Sequence, residues 1–393
     1  MDDVVLLSAC RTPIGSFRSS LASLSAPQLG SFAIREAVNR AGISPGRIDE
    51  VIMGNVLSAG VGQAPARQAA LHAGLPTSVQ CSTINKVCGS GLKAVMLAAQ
   101  AIAVGDARLI VAGGMESMSN APYLLEKARG GYRMGHAELI DSLLKDGLQD
   151  AYDGIPMGEV AEQCAKACGI TRKDQDDFAL LSYTRAQNAQ NKGLFDKELI
   201  PVEVIGPKGE KSSVQRDEDP TKMSLDRIPT LKPAFLKEGT ITAANASKIS
   251  DGAAALVVAS LQEAKKLGVK PLARIVAQSS FAQDPLQFPT APIDAVKRVL
   301  EKAHLAITEI DLFEVNEAFA VVALAVQRAL GIDRERLNIH GGAVALGHPI
   351  GASGARILVT LLHAMEQRNV RRGLATLCIG GGEASAIIVE RDL

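Results

Sequence analysis

Residues 90–117 read SGLKAVMLAAQAIAVGDARLIVAGGMES: a helical run of small and apolar residues from Leu92 to Ala103, then a strand-like Ala107 to Ala112 that ends in paired glycines. The same order returns at 353–385, SGARILVTLLHAMEQRNVRRGLATLCIGGGEAS, with a helix over Ala355 to Glu366 and a strand over Leu374 to Cys378. Ser90 and Ser353 are offset by 263 positions. A second pair agrees. The helical stretch Ala33 to Ile43 leads into the strand-like Ile48 to Gly54, and Ala295 to Leu305 leads into Ile310 to Asn316, an offset of 262 from Ile48 to Ile310. Two units repeated in one order at one spacing indicate an internal duplication. Alternating helices and strands, with turns at strand ends, predict α/β layers.

Working outward, the two halves take residues 1–119, with 245–270 returning to the first, and 271–393. Between them, 120–244 carries a charged helix from Arg172 to Asn191 and then Pro201, Pro207, Pro220, Pro229 and Pro233 amid mixed charge. That composition predicts an inserted, loop-rich domain covering a pocket.

Charge balance excludes several classes of function. With 42 basic and 42 acidic residues, the chain has no electrostatic footprint for nucleic acid, and its 3% aromatic content supplies no stacking platform. Apolar runs such as Ala318 to Ala325 are far shorter than the roughly 20 residues of a membrane span. The six cysteines show no paired spacing, and Met1-Asp2-Asp3-Val4 does not read as a leader, so a reducing compartment is expected. Cytoplasm is the default; a mitochondrial matrix location is the alternative.

Three residues stand out by their turns. Cys88 lies in Asn85-Lys86-Val87-Cys88-Gly89-Ser90-Gly91, just ahead of a helix, where unpaired amides and the helix dipole favour a thiolate. His348, in Gly347-His348-Pro349-Ile350-Gly351, is held by a rigid turn at another helix entrance, suited to accepting a thiol proton. Cys378 ends a strand and meets Gly380, Gly381 and Gly382, whose open amides suit an oxyanion. Each has a plain structural reading too: free cysteines are commonly buried as small hydrophobes, and histidines are commonly satisfied within a core. Asn316 either holds a water or carbonyl or caps the next helix. Cys164 and Cys168, four apart, read as core thiols rather than zinc ligands. His340, beside Gly341-Gly342, is placed near the site.

Across its full length the chain resembles thiolases of the acetoacetyl-CoA type. The resemblance rests on Asn85 to Gly91, Asn316-Glu317-Ala318-Phe319 with Gly347 to Gly354, and Cys378 to Gly382. It implies a five-layered α/β/α/β/α duplication with an inserted loop domain. It implies coenzyme A thioesters as substrates: two acetyl-CoA condense to acetoacetyl-CoA through an acetylated Cys88, or the reverse thiolysis runs. His348 activates Cys88, Cys378 moves the α-proton, Asn316 holds a water, and the amides of Cys88 and Gly380 meet the oxyanion. Ser247, Leu148, Met157, Phe235, Ala243, Ala318 and Phe319 would line the pantetheine tunnel, with Met157 and Phe288 crowding the acyl end. Lys222 or Arg227 would meet the CoA phosphates.

Three departures bear on subclass. Pro156 resembles the degradative 3-ketoacyl-CoA thiolases, the alternative for longer or 2-methyl-branched substrates, and His340 replaces a usual asparagine. Phe288-Pro289 with Tyr183 resembles members that bind potassium, which implies a site at Tyr183, Ala243, Ala244, Ala246 and Val344. The family further implies a homotetramer.

Overall fold

A computed structural model describes residues 3–206 and 208–391; Met1, Asp2 and Pro207, named above, lie outside the described residues. Strand β1 (Val4–Arg11) is buried along its whole length. Its alternate residues serve different cores, Leu6 and Ala9 one, Val5 and Leu7 another. A strand between two helical layers has to be apolar on both faces. After β1 come α1 (Ala26–Arg40), β2 (Glu50–Gly54), α2 (Pro65–His72), β3 (Gln80–Ile84), α3 (Ser90–Val104) and β4 (Leu109–Ser117). The chain leaves the sheet for α4 (Met157–Ala167) and α5 (Arg172–Asn191), then returns as β5 (Ser250–Ser260) and α6 (Leu261–Leu267). The second half supplies β6 (Ala273–Ala282), α7 (Ala291–Ala303), β7 (Leu312–Val315), α8 (Ala320–Leu330), the single turn α9 (Ala343–Leu346), α10 (Ile350–Arg368), β8 (Arg372–Ile379) and β9 (Glu383–Glu390).

The strand ladders repeat as the sequence does. β2 runs parallel to β4, with Glu50 opposite Ile110, and β5 and β1 follow antiparallel. β7 runs parallel to β8, with Leu312 opposite Gly373, and β9 and β6 follow antiparallel. The strand order is β7-β8-β9-β6-β1-β5-β4-β2-β3. Among the described residues the strand ladders of the two halves meet only at Val5–Arg274 and Leu6–Ala273, so each half-sheet behaves as its own layer. Helices α3 and α10 pack between the two, α1 and α2 cover the first, and α7 and α8 cover the second. This is the α/β/α/β/α plan. The stretch Val87–Val104, which holds α3, is long and apolar enough by composition to cross a bilayer, and the packing of α3 against both half-sheets accounts for its apolar character.

The repeated Ser-Gly pairs sit where α3 and α10 cross. A Cβ on Gly91 would lie 2.7 Å from the Ala355 nitrogen, and one on Gly354 would lie 2.4 Å from the Leu92 nitrogen. Glycine is required because the backbones touch. The glycine pairs that follow each strand behave differently from one another. Gly113 and Gly114 stay inside β4, opposite Ala255 and Ala254, whereas Gly381 and Gly382 make a left-handed turn with φ of +85° and +84°. They match as letters and not as structure.

The segment 120–244 is more ordered than its prolines suggest. Val160 and Ala161 of α4 and Tyr183 and Ala186 of α5 are buried in the core of the second half. A hairpin, Val202–Ile205 with Lys211–Val214, places Val202 and Val204 in the outer core of the first. Arg11 of β1 ties the segment down through Glu198 at 2.6 Å and Asp217 at 2.7 Å, all fully buried. Removing Arg11 would leave two buried carboxylates without their shared cation.

Candidate active site

The turn before α3 is not helical. Val87 holds φ at +44°, a costly conformation for a β-branched residue, and thereby sets Cys88 ahead of the first helical turn. Ser90 braces it: its hydroxyl donates to the Val87 carbonyl at 2.7 Å and accepts from the Lys86 amide at 2.8 Å. The Gly380 amide, from the turn after β8, reaches the Cys88 sulfur, and Cys378 at the end of β8 is close enough for Cys88 to oppose its ionisation.

His348 enters from a third segment. Its Nδ1 is 2.5 Å from the Ser353 hydroxyl, and that hydroxyl donates to the Pro349 carbonyl at 3.0 Å. With the serine proton so used, the network assigns the imidazole hydrogen to Nδ1. Nε2 is then a bare lone pair, buried with no protein partner. Burial pulls His348 down to about 3, with the Arg356 charge acting in the same direction, so the ring is neutral and basic in form.

The thiol behaves contrary to the helix-terminus expectation. Burial pushes Cys88 up to about 11, and the Gly380 and Cys88 amides only partly oppose it. Cys378 is raised well above the ordinary range, again by burial first and then by Cys88. At rest the site therefore holds two thiols and a neutral imidazole. Ionisation of Cys88 has to accompany reaction rather than precede it.

These groups share one cavity of about 580 Å³, whose wall includes Cys88, His348, Cys378 and Gly380. Leu148, Met157, Phe235, Ala243 and Ser247 also face it, as do Phe288, Ala318 and Phe319. Pairing places the far wall: the Ser247 amide donates to the Ala318 carbonyl at 3.0 Å, and the Ala320 amide to the Asn245 carbonyl at 2.8 Å. Phe235 packs edge-on against Phe319, with centroids 6.2 Å apart. Met157 opens α4 directly above Gly380, its sulfur 4.0 Å from where a Cβ there would stand. At the rim, Lys222 donates to the Ser16 hydroxyl at 2.7 Å.

Other residues fall elsewhere. Asn316 is fully buried and is not on the cavity wall; Arg356 donates to its Oδ1 at 3.4 Å, while its Nδ2 has no protein partner. His340 is not near the thiols. It bonds Gln367 at 2.8 Å and packs edge-on to Phe195. Ala246 faces the cavity, whereas Tyr183, Ala244 and Val344 do not. Cys164 and Cys168 lie 3.9 Å apart, and among the described residues no cluster of three His, Cys, Asp or Glu is placed to hold a metal.

Two buried carboxylates were missed. Glu116 accepts from the Val56, Leu57 and Gly351 amides and from Asn55, joining the end of β4 to the start of α10. Glu317 accepts from Ser182, Asn338 and the Val344 amide, joining α5 to α9. The available signal was an acid inside an otherwise apolar run, in Met115-Glu116-Ser117 and Asn316-Glu317-Ala318.

The whole chain has counterparts. The thiolase N-terminal domain matches residues 4–262 and the thiolase C-terminal domain 269–391. Proteins called acetyl-CoA acetyltransferase are 54% identical in Escherichia coli and 53% identical in Cupriavidus necator, each alignment covering 100% of both chains. One from Schizosaccharomyces pombe is 51% identical over 99% of both. The crystal structure of Acat5 thiolase from Ascaris suum in complex with coenzyme A superposes with a TM-score of 0.94 at 46% identity, covering 99% of this chain and 100% of that one. With the duplicated layers, the cavity that gathers two thiols and an imidazole, and both family domains matched nearly end to end, the chain belongs to the thiolase family.

Proposed function

We propose that the protein is an acetyl-CoA C-acetyltransferase that joins two acetyl-CoA into acetoacetyl-CoA and CoA, and runs the reverse thiolysis. The observation that carries this reading is the bare Nε2 of His348 in the same cavity as two protonated thiols. Nε2 takes the Cys88 proton as the sulfur attacks the thioester carbonyl, and the amides of Cys88 and Gly380 meet the oxyanion, each such donor contributing about 3 kcal/mol. CoA leaves with the Cys378 proton. The Cys378 thiolate so formed, raised by burial, is a strong base matched to a weakly acidic α-carbon. It takes the α-proton of the second acetyl-CoA, whose carbanion attacks acetyl-Cys88. The departing Cys88 thiolate recovers its proton from His348, and every group returns to its starting state. An Asn316-bound water would support the enolate through the unpartnered Nδ2.

Met157 over Gly380, with Phe288 in the same wall, supports short acyl chains. Thiolysis is expected to be fastest with acetoacetyl-CoA and at least about tenfold slower with 3-ketohexanoyl-CoA; equal rates would favour a degradative thiolase. Acetyl transfer from acetyl-CoA to the protein is expected to vanish in Cys88→Ala, and labelling that persists would remove Cys88 from its role. The same reading takes the protein as a cytoplasmic homotetramer. Six free cysteines support a reducing compartment, and exposed Tyr123, Met134 and Leu139 support a subunit contact. Sedimentation at four times 41.2 kDa is the expected result.

A further inference from the structure

The carbonyls of Ala243, Ala246 and Val344 converge beside the ring of Tyr183; these are four of the five residues, with Ala244, that the family resemblance gives to a potassium ion. An ammonium already stands among them. Nζ of Lys248 donates to the Ala243 carbonyl at 2.6 Å, to Ala246 at 3.1 Å and to Val344 at 3.4 Å, and lies 5.5 Å from the Tyr183 ring centroid. Three N–H donors meet three carbonyls, which is the full donor capacity of a lysine. The donor set therefore does not fit a free ion: a potassium bound there would share its ligands with a second positive charge.

The contacts bind together pieces of the cavity. Ala243 and Ala246 belong to the segment that leads into Ser247, and Val344 belongs to α9, which leads into His348. The Lys248 carbonyl accepts from the His348 amide at 3.0 Å, so the same residue grips both sides.

We propose that the Lys248 ammonium is a built-in cation that substitutes for a bound monovalent ion and positions the substrate wall against the His348 turn, so that the protein has no potassium requirement. Lys248 acts here as a positioning residue. Its effect on turnover rests on the acyl-transfer reading above, whereas its effect on stability does not.

The test measures Tm and the thiolysis KM for acetoacetyl-CoA in KCl, NaCl and tetramethylammonium chloride at matched ionic strength. Wild-type protein should give the same values in all three. In tetramethylammonium chloride, Lys248→Ala should show a lower Tm and a KM raised at least about fivefold, the lower end of ordinary site-to-site coupling, and KCl should restore both. The buried Tyr183 hydroxyl, which has no protein partner, is the group an entering ion would recruit. A wild-type Tm or KM that improves in KCl, or a Lys248→Ala protein indifferent to all three salts, overturns the proposal. If Lys248→Ala does not fold, Lys248→Thr takes its place, and the wild-type comparison still decides. A Tm pattern as expected with no thiolysis at all would sink the acyl-transfer reading and leave the built-in cation standing.

Discussion

The turns before α3 and α10 are two copies of one unit, and they are built differently. Before α3 the backbone is unwound, with Val87 at φ +44° and Cys88 presented ahead of the helix. Before α10 the helix already begins at Ile350, three residues ahead of Ser353, and the imidazole rides on the loop that precedes it. The repeated serine does a different task in each. Ser90 braces the strained backbone of its own turn, and Ser353 fixes the proton on His348. The crossing glycines are common to both copies, so duplication supplied the scaffold and local backbone supplied the chemistry.

The comparison breaks most severely at the crossing itself. Gly354→Ala puts a Cβ 2.4 Å from the Leu92 nitrogen, where backbone cannot yield as a flexible side chain would. A loss of about 3 kcal/mol or more is expected in urea unfolding; a variant within about 1 kcal/mol of wild type would mean that the helices are not held by backbone contact.

Next come the serines, which should separate. Ser353→Ala should lower kcat by about 100-fold with Tm nearly kept, because Nδ1 loses the partner that leaves Nε2 bare. Ser90→Ala should cost about 1–2 kcal/mol of stability, because the Lys86 amide loses its acceptor, with a much smaller effect on kcat. Identical profiles for the two would erase the distinction between brace and proton holder.

The pH dependence is a finer test. Because burial puts the Cys88 thiol at about 11, the thiolate is scarce at neutral pH and grows with alkalinity. Alkylation of substrate-free protein by iodoacetamide, read at Cys88 by mass spectrometry, should rise about tenfold per pH unit between about pH 7 and pH 9. A plateau below pH 8 would show the helix terminus prevailing over burial. The smallest effect is expected at the strained turn, where Val87→Gly should gain up to about 1 kcal/mol by relieving the positive φ while lowering kcat.

Much of the site was legible because its chemistry sits in unusual local sequence. Cys88, His348 and Cys378 each adjoin glycines in turns, and Met157 and Phe319 lie beside them in recognisable stretches. Glu116, Glu317 and Lys248 were not legible as a carboxylate anchor, a second anchor and a caged ammonium. Each acquires its role from amides or carbonyls of residues far away in the chain, such as Gly351 for Glu116 and Val344 for Lys248. The misplacement of His340 and the false equivalence of the glycine pairs have the same origin: neighbouring letters do not say which way a backbone turns.

By itself the sequence determined the layered, duplicated plan, because hydrophobic periodicity and the spacing of repeats are properties of the chain alone. It also determined which three side chains were chemically equipped to react. Tertiary structure alone decided their protonation and their partners. Burial inverted the expected state of the Cys88 thiol, and convergence of carbonyls from distant segments put a lysine where an ion was expected. Desolvation and the meeting of remote polar groups depend on the whole fold, and no local stretch of residues encodes them.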